Sequence, residues 1–170
     1  HGMIRSLDIG EAAAAHGVVR IFTASDIPGE NQVGGIVPDE ELLASSYVHF
    51  CGMPVALVVA ETEEAARAAV KKIKMVTDPL PVITDPREAK EKGELIIPPR
   101  TFQLGDTANT WKDCIHIFEG RTETNSQEHL YIETQGAYAV PQENGAIRIY
   151  SSTQGPTAVQ RTAARVLAIP

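Results

Sequence analysis

The sequence has no excess of basic residues, because its 15 Lys and Arg face 22 Asp and Glu for a formal net charge of −7. A nucleic-acid-binding surface normally carries a basic stripe, so this balance argues against a nucleic-acid partner. The chain also lacks a run of 18 apolar residues and a charged segment followed by an apolar one at its start, so no membrane span or secretion signal is predicted. We therefore expect a cytoplasmic protein whose partners are proteins or small molecules.

Cysteines are scarce as well, since only Cys51 and Cys114 occur, far apart and outside any CxxC pattern. They cannot build an iron–sulfur or zinc site alone, and we expect both to be reduced thiols in the core. His129 and Glu133 are four residues apart on a predicted strand, a separation of about 13 Å, which is too far for one metal ion. The sequence also lacks GxSxG, HExxH, Walker and GxGxxG motifs. The residues themselves therefore predict no metal site and no standard catalytic motif.

The first half of the chain alternates strand and helix patterns. With 170 residues and 43% hydrophobic content, the chain can form one domain or two small units. An alanine run over 12–15 predicts a short helix. The strand predicted at residues 55–60 is continuously apolar, and we expect it to be buried on both faces. Strands are predicted at residues 3–9, 18–23, 42–44, 47–50 and 55–60.

A second helix is predicted after Thr62, which can cap it. Charged residues fall at its expected ends in the order that the helix dipole favours: Glu63, Glu64, Lys71, Lys72 and Lys74. Its apolar residues share a face that we expect to pack on a sheet: Ala65, Ala66, Ala69, Val70 and Ile73. With the strand before it and residues 74–77 after it, this helix predicts a βαβ-like unit. Residues 85–92 favour one more short helix.

The second half is predicted to be richer in strands. Residues 115–124 alternate as a strand, and a longer strand is expected to run from the polar stretch 124–134 to Val140. Asn144-Gly145 predicts a hairpin turn with a return strand over 146–150. The final segment predicts a helix that starts at Pro156 and carries its apolar side chains along one side: Val159, Ala163, Val166 and Leu167.

These patterns predict an α+β fold in three parts. Residues 1–84 are expected to form one domain, residues 85–104 a linker around Pro98-Pro99, and residues 105–170 a strand-rich second part. The chain opens without Met and closes directly after a helix-like stretch, so we expect a piece of a longer polypeptide. A second part cut short should leave apolar surface uncovered, which predicts association in solution.

Two motifs in the second half carry a resemblance to a known family. Residues 126–134 (SQEHLYIET), followed by residues 150–156 (YSSTQGP) and Gln160, are similar to the molybdopterin-binding subunit of the xanthine dehydrogenase and aldehyde oxidase family. Upstream, residues 23–29 (TASDIPG) and 52–62 (GMPVALVVAET) look like the family's α/β-hammerhead domain. The resemblance covers essentially the whole chain and is greatest to bacterial xanthine dehydrogenases. It identifies residues 1–84 as a hammerhead domain and 105–170 as the start of a molybdopterin-binding domain.

The resemblance implies a hydroxylase whose molybdenum–molybdopterin cofactor inserts a water-derived oxygen at an electrophilic carbon of a purine such as xanthine or hypoxanthine. Gln127 matches the family glutamine beside the molybdenum. A primary amide suits that place because it offers an uncharged N–H donor that does not titrate between about pH 5 and 9. Thr153 and Gln154 lie in the second motif and are implied to add polar contacts to the cofactor. Neither a catalytic residue nor a metal ligand is implied within this chain.

Several parts of the family's machinery are expected beyond Pro170: a glycine-rich loop, a substrate-orienting carboxylate and arginine, and a catalytic glutamate. The resemblance therefore implies that the chain cannot turn over substrate by itself, because no general base is present. Its implied partners are the remainder of the molybdenum subunit and the iron–sulfur and FAD modules, within an oligomer. Two alternatives stay open: an oxidase of aldehydes or other N-heterocycles from the same family, and a non-catalytic scaffold or binding module.

Overall fold

The computed structural model describes residues 1–130, 132 and 135–170 of the chain. Helices and small antiparallel sheets occur together, which confirms the prediction of an α+β fold. The chain forms two compact units, of which the first combines His1–Val82 with Gly136–Pro170 and the second is Ile83–Gln135. Residues from the two ends of the sequence therefore share one unit.

In the first half of the chain, the strands and helices of the described residues follow the predicted order except at residues 42–44. The strands are β1 (Gly2–Asp8), β2 (Val18–Thr23), β3 (Tyr47–Val48), β4 (Ala56–Ala60), β5 (Lys74–Pro79), β6 (Ala137–Pro141) and β7 (Ile147–Ser151). The helices are α1 (Gly10–Ala13), α2 (Glu63–Val70), α3 (Pro86–Lys92), α4 (Thr107–Asp113) and α5 (Pro156–Leu167). None of the helices in this part of the chain combines the length and the hydropathy that crossing a membrane requires.

The first sheet has β1 at its centre, between β3 and β5, and both neighbours run antiparallel to it. Ala44, Val48 and Met53 form a buried cluster against this sheet, with Ile4 packed on it. The prediction of a strand at residues 42–44 is wrong. Ala44 lies in a loop and donates its N–H to Pro54 O at 2.8 Å instead of joining a sheet.

The second layer consists of β2 and β4, which pair antiparallel, with α1 and α2 on one face. Ala12, Ile21 and Ala69 form its buried centre. Two of the three are alanines, and such small side chains let both helices lie close to the strands. The side chains packed around this centre are Ile9, Ala15, Val18, Ala56, Val58 and Ile73.

Three predictions about this layer are wrong. β4 is not buried on both faces, because helices cover one face only and Leu57 on the other face is 56% exposed. The strands before and after α2 belong to different sheets, so β4, α2 and β5 do not form a βαβ unit. α2 ends at Val70, which is 54% exposed rather than on the inner face. The three lysines therefore follow the helix, and Lys74 lies in β5, where its Nζ is 3.1 Å from Glu11 Oε2.

The unit Ile83–Gln135 contains two short, capped helices and little else that is regular. Asp85 caps α3 and Asp106 caps α4 by accepting N–H groups of the first turn. The strand predicted at 115–124 is absent, and residues 115–130 form neither helix nor strand. Alternation alone did not produce a strand there, because no other strand pairs with this segment among the described residues. The longer strand was predicted to begin in the polar stretch 124–134. Its described residues 124–130 form no strand, and β6 starts at Ala137.

Both cysteines are exposed, so the prediction of core thiols is wrong. Cys51 lies in a turn between β3 and β4, and Cys114 directly follows α4. The exposure of Cys114 agrees with its surroundings, because within Ile83–Gln135 every described side chain is at least partly exposed.

The hairpin of β6 and β7 and the helix α5 complete the first unit. Asn144 and Gly145 adopt left-handed backbone conformations, with φ of 60° and 75°, and this turn confirms the hairpin prediction. Pro156 occupies the first turn of α5, as predicted. Val166 is buried, but Leu167 is 36% exposed and does not belong to the buried stripe that was expected.

Candidate functional site

The candidate residues lie in two different units. Thr153 and Gln154 belong to the unit that contains the hairpin and α5, whereas Gln127 belongs to Ile83–Gln135. Each place is therefore described by itself. Of the remaining residues in the polar stretch, Tyr131, Glu133 and Thr134 lie outside the described residues.

Thr153 and Gln154 lie in the tight turn that joins β7 to α5. Gly155 donates its N–H to Thr153 Oγ1 at 3.0 Å, and its carbonyl accepts the N–H groups of Ala158 and Val159 at 3.0 and 3.1 Å. At the other side of the turn, Ser152 donates its N–H to Gly136 O at 3.0 Å. The main chain of the turn is thus held at both ends, while the side chains of Thr153 and Gln154 remain exposed.

A groove of about 220 Å³ opens beside this turn. One wall consists of alternate side chains of β7, and the other consists of the first two turns of α5. The lining residues are Ile147, Ile149, Ser151, Thr153, Pro156, Val159 and Gln160. The lining combines apolar side chains with hydroxyl and amide groups, which suits a partly apolar group that carries hydrogen-bonding atoms.

The position of the groove at the N-terminus of α5 adds a charge preference. The helix dipole places partial positive charge at this end. The charge preference comes from the dipole rather than from free N–H groups, because Pro156 has none and the Gly155 and Ala158 N–H groups already donate within the turn. An anionic or hydrogen-bond-accepting edge of a ligand is therefore favoured at this end of the groove. Sequence reasoning did not assign Ser151 or Val159 to a site, although the alternation of Ile147 with Ile149 and the apolar side of α5 indicated both walls.

Gln127 has a different setting. It is exposed and lies in a segment without helix or strand, so its predicted place at the entry of a strand is wrong. Its neighbour Glu128 accepts the N–H of His129 at 3.0 Å, a local contact within the same segment. Among the described residues, no three His, Cys, Asp or Glu side chains are grouped to hold a metal ion. The local contacts of this segment therefore do not assign a role to Gln127.

Two domain families match the chain and together span most of it. The family described as "Aldehyde oxidase and xanthine dehydrogenase, a/b hammerhead domain" matches residues 1–81. The family described as "Molybdopterin cofactor-binding domain" matches residues 88–170, which include the groove.

Curated relatives and solved structures agree with these matches. The chain is 36% identical to a xanthine dehydrogenase of Dictyostelium discoideum and 37% identical to aldehyde oxidase 2 of Cavia porcellus, over 99% and 100% of its length. It spans only 12% and 13% of the length of these two relatives. An aldehyde oxidoreductase from Desulfovibrio gigas superposes with a TM-score of 0.84 and 26% identity, over 99% of this chain and 21% of that one.

Proposed function

The chain belongs to the aldehyde oxidase and xanthine dehydrogenase family, and from this premise we propose that it contributes one wall of the cofactor site of a molybdenum hydroxylase. The observation that carries the proposal is the groove beside the Thr153–Gly155 turn, within the residues matched by the molybdopterin-binding family. In the bound state, the molybdenum–molybdopterin cofactor would supply the chemistry of hydroxylation with oxygen from water.

The chemistry of the residues that line the groove supports this proposal. Ile147, Ile149 and Val159 offer apolar contact to a ring system, and Gln160 adds an amide to the lining. The Thr153 hydroxyl, which already accepts the Gly155 N–H, keeps its own O–H available as a donor. Hydroxyl and amide groups bind without titrating near neutral pH, so the contacts do not depend on protonation.

On the strength of its motif, Gln127 is the glutamine proposed to lie beside the metal. Thr153 and Gln154 are proposed to add polar contacts to the cofactor, because both lie in a turn whose main chain is fixed and Thr153 lines the groove. Either amide would orient a neighbouring oxygen by donating an N–H that carries no charge.

For the substrate, we propose a purine such as xanthine or hypoxanthine. An aldehyde or another N-heterocycle is the second candidate, since the identities to a xanthine dehydrogenase and to an aldehyde oxidase are 36% and 37%. The groups that orient the substrate and the general base are proposed to lie in other parts of the enzyme, together with the iron–sulfur and FAD modules. The 170-residue chain by itself should then bind no stoichiometric molybdenum and show no turnover.

The test replaces each glutamine by alanine in the complete enzyme that carries this segment. Loss of one preorganised donor to a reacting oxygen lowers kcat by about 100-fold or more. We expect this loss for Gln127→Ala, and no loss for Gln142→Ala, whose amide donates to Pro141 O in the hairpin. Gln154→Ala is measured alongside, with molybdenum content and with xanthine and an aldehyde as substrates.

Each outcome decides one part of the proposal. Unchanged kinetics and molybdenum content for both Gln127→Ala and Gln154→Ala would overturn the assignment of an amide beside the metal. Oxidation of the aldehyde alone would replace the purine by the second candidate. Stoichiometric molybdenum in the purified 170-residue chain would contradict an incomplete site, and absence of any oxidation by the complete enzyme would favour a binding module.

A further inference from the structure

The C-terminal end of α5 is capped by a loop from a distant part of the sequence. The last carbonyl groups of a helix have no hydrogen-bond donor inside the helix. Gly29 donates its N–H to Val166 O at 3.0 Å, and Glu30 donates its N–H to Arg165 O at 3.1 Å. The hammerhead residues thus supply two main-chain donors to a helix that begins at the groove.

Gly29 is the point of closest approach between the loop and the helix. A Cβ atom at this position would lie 2.0 Å from Arg165 O, and 2.9 Å from both Val166 O and Ala168 N. These are main-chain atoms, so no side-chain rotation can relieve the clash. Only glycine allows both hydrogen bonds to form, and any other residue must push the loop and the helix apart.

A side chain of α5 reinforces the same contact. Arg165 donates from its guanidinium group to Gln32 O at 2.8 Å, and its Nε lies 3.7 Å from the Glu30 carboxylate. The side chain of Arg165 is only 34% exposed, so the contact lies partly out of water. The helix end is therefore held by main-chain and side-chain bonds to one short loop.

The loop itself is fixed to the body of its domain. Asn31 donates its amide N–H to Leu43 O at 2.7 Å and accepts the Leu43 N–H at 3.0 Å. Leu43 is 6% exposed, so this anchor is buried. Before the loop, Asp26 accepts the N–H and the hydroxyl of Thr23 at 2.8 and 2.9 Å. Because the loop is anchored on both sides, it does not move with the helix and can hold the helix end in one position.

We infer that residues 28–32, here called the clamp loop, are positioning residues that fix α5 and, through it, the turn that carries Thr153 and Gln154. α5 has 12 residues and is about 18 Å long, and a helix of this length transmits the position of one end to the other. The inference extends the proposed function, since the positioned turn is the one proposed to contact the cofactor. The geometry of the clamp itself does not depend on that role.

The test compares two glycines in the 170-residue chain by NMR. Gly29→Ala is the test variant, and Gly35→Ala is its control, since a Cβ at Gly35 meets nothing within 4 Å. We expect Gly29→Ala to speed amide hydrogen exchange at Glu30 and at residues 163–167 by about tenfold, the loss expected for one or two main-chain hydrogen bonds. We also expect it to move the amide chemical shifts of Thr153, Gln154 and Gly155, which a merely local packing role would leave in place. Gly35→Ala should change neither.

A milder pair of variants covers the case in which Gly29→Ala does not fold. Arg165→Ala removes the contact to Gln32 O without adding an atom at Gly29, and Arg161→Ala, an exposed residue one turn earlier, is its control. Shifts at residues 153–155 in Arg165→Ala, and not in Arg161→Ala, support the clamp. Unchanged shifts at residues 153–155 in both Gly29→Ala and Arg165→Ala overturn it.

The same variants in the complete enzyme separate the clamp from the proposed function. If Gly29→Ala moves the shifts of the turn and also lowers the molybdenum content, both stand. If the shifts move while molybdenum content and kinetics stay unchanged, the clamp stands and the cofactor role of the turn fails.

Discussion

The residues of His1–Val82 and those of Ile83–Gln135 have similar local signals and very different interiors. Both contain capped helices and apolar residues. Among the described residues, however, seven of the eight buried hydrophobic side chains lie in the first segment and none lies in the second. The eighth, Val166, lies in α5. The difference shows that local signals place helices in both segments, whereas the buried clusters of the described residues form only where strands pair and helices or loops cover them.

The largest expected effect is the loss of a core side chain in the first segment. Ile21 is 7% exposed at the centre of the β2–β4 layer, and Ile117 is 51% exposed in the second segment. Ile21→Ala should lower the free energy of unfolding by about 2–4 kcal/mol, because it removes buried methyl groups and leaves a cavity. Ile117→Ala should change it by less than about 0.5 kcal/mol. Urea unfolding followed by circular dichroism measures both, and equal losses would remove the distinction between the segments.

The next effect concerns the apolar surface of the second segment. Phe102, Ile115 and Phe118 are each 90–91% exposed, and we expect such side chains to drive association in solution. Phe118→Ser should weaken association by about 1.5–3 kcal/mol, the transfer free energy of one large apolar side chain. Light scattering over a range of protein concentrations measures the change. Leu57→Ser, on the open face of β4, is the control and should have a smaller effect; a monomer at all concentrations before any substitution would contradict the expectation.

The third effect is smaller and concerns the N-terminal cap of one helix in each segment. Thr62 accepts the Ala65 N–H at 3.2 Å in the first segment, and Asp85 accepts the Arg87 N–H at 2.7 Å in the second. Either substitution by alanine should cost its helix about 1 kcal/mol. Thr62→Ala should lower the midpoint of cooperative unfolding, since α2 covers the core, whereas Asp85→Ala should only speed amide exchange within α3. A lowered global midpoint in Asp85→Ala would show that α3 belongs to a cooperative core.

Sequence reasoning succeeded where a signal was local. The cap Thr62, the Asn144-Gly145 turn and Pro156 each fix a conformation through their own chemistry. It failed where the outcome depended on a partner distant in sequence: residues 115–124 alternate but have no strand to pair with among the described residues, and β4 is covered on one side only. The groove was indicated in parts, as one face of β7 and one side of α5, but their juxtaposition could not be derived. The close approach of Gly29 to the end of α5 could not be predicted either. A glycine in a loop has no special meaning until the neighbouring helix end is known.

The smallest expected effect is a pH dependence that contrasts two capping carboxylates. The Thr23 N–H and hydroxyl hold the pKa of Asp26 below its ordinary value, and the Asn109 side-chain and main-chain N–H groups do the same for the pKa of Asp106. A carboxyl whose pKa is lowered by folding stabilises the fold above its unfolded pKa, and this contribution disappears as the pH falls through the folded pKa. Acid should therefore weaken both contacts.

The two segments should respond differently when this contribution is removed. Asp26 follows β2 and precedes the clamp loop, so its protonation should lower the midpoint of cooperative unfolding, whereas protonation of Asp106 should only fray α4. Unfolding midpoints at about pH 6 and about pH 3 measure the acid effect, which spans the ordinary range of a carboxyl pKa. Asp26→Asn should make the decrease in midpoint smaller than in the unsubstituted chain, and Asp106→Asn should leave the decrease unchanged. If Asp106→Asn reduced the decrease as much as Asp26→Asn, then α4 would unfold together with the core, and the contrast between the two segments would fail.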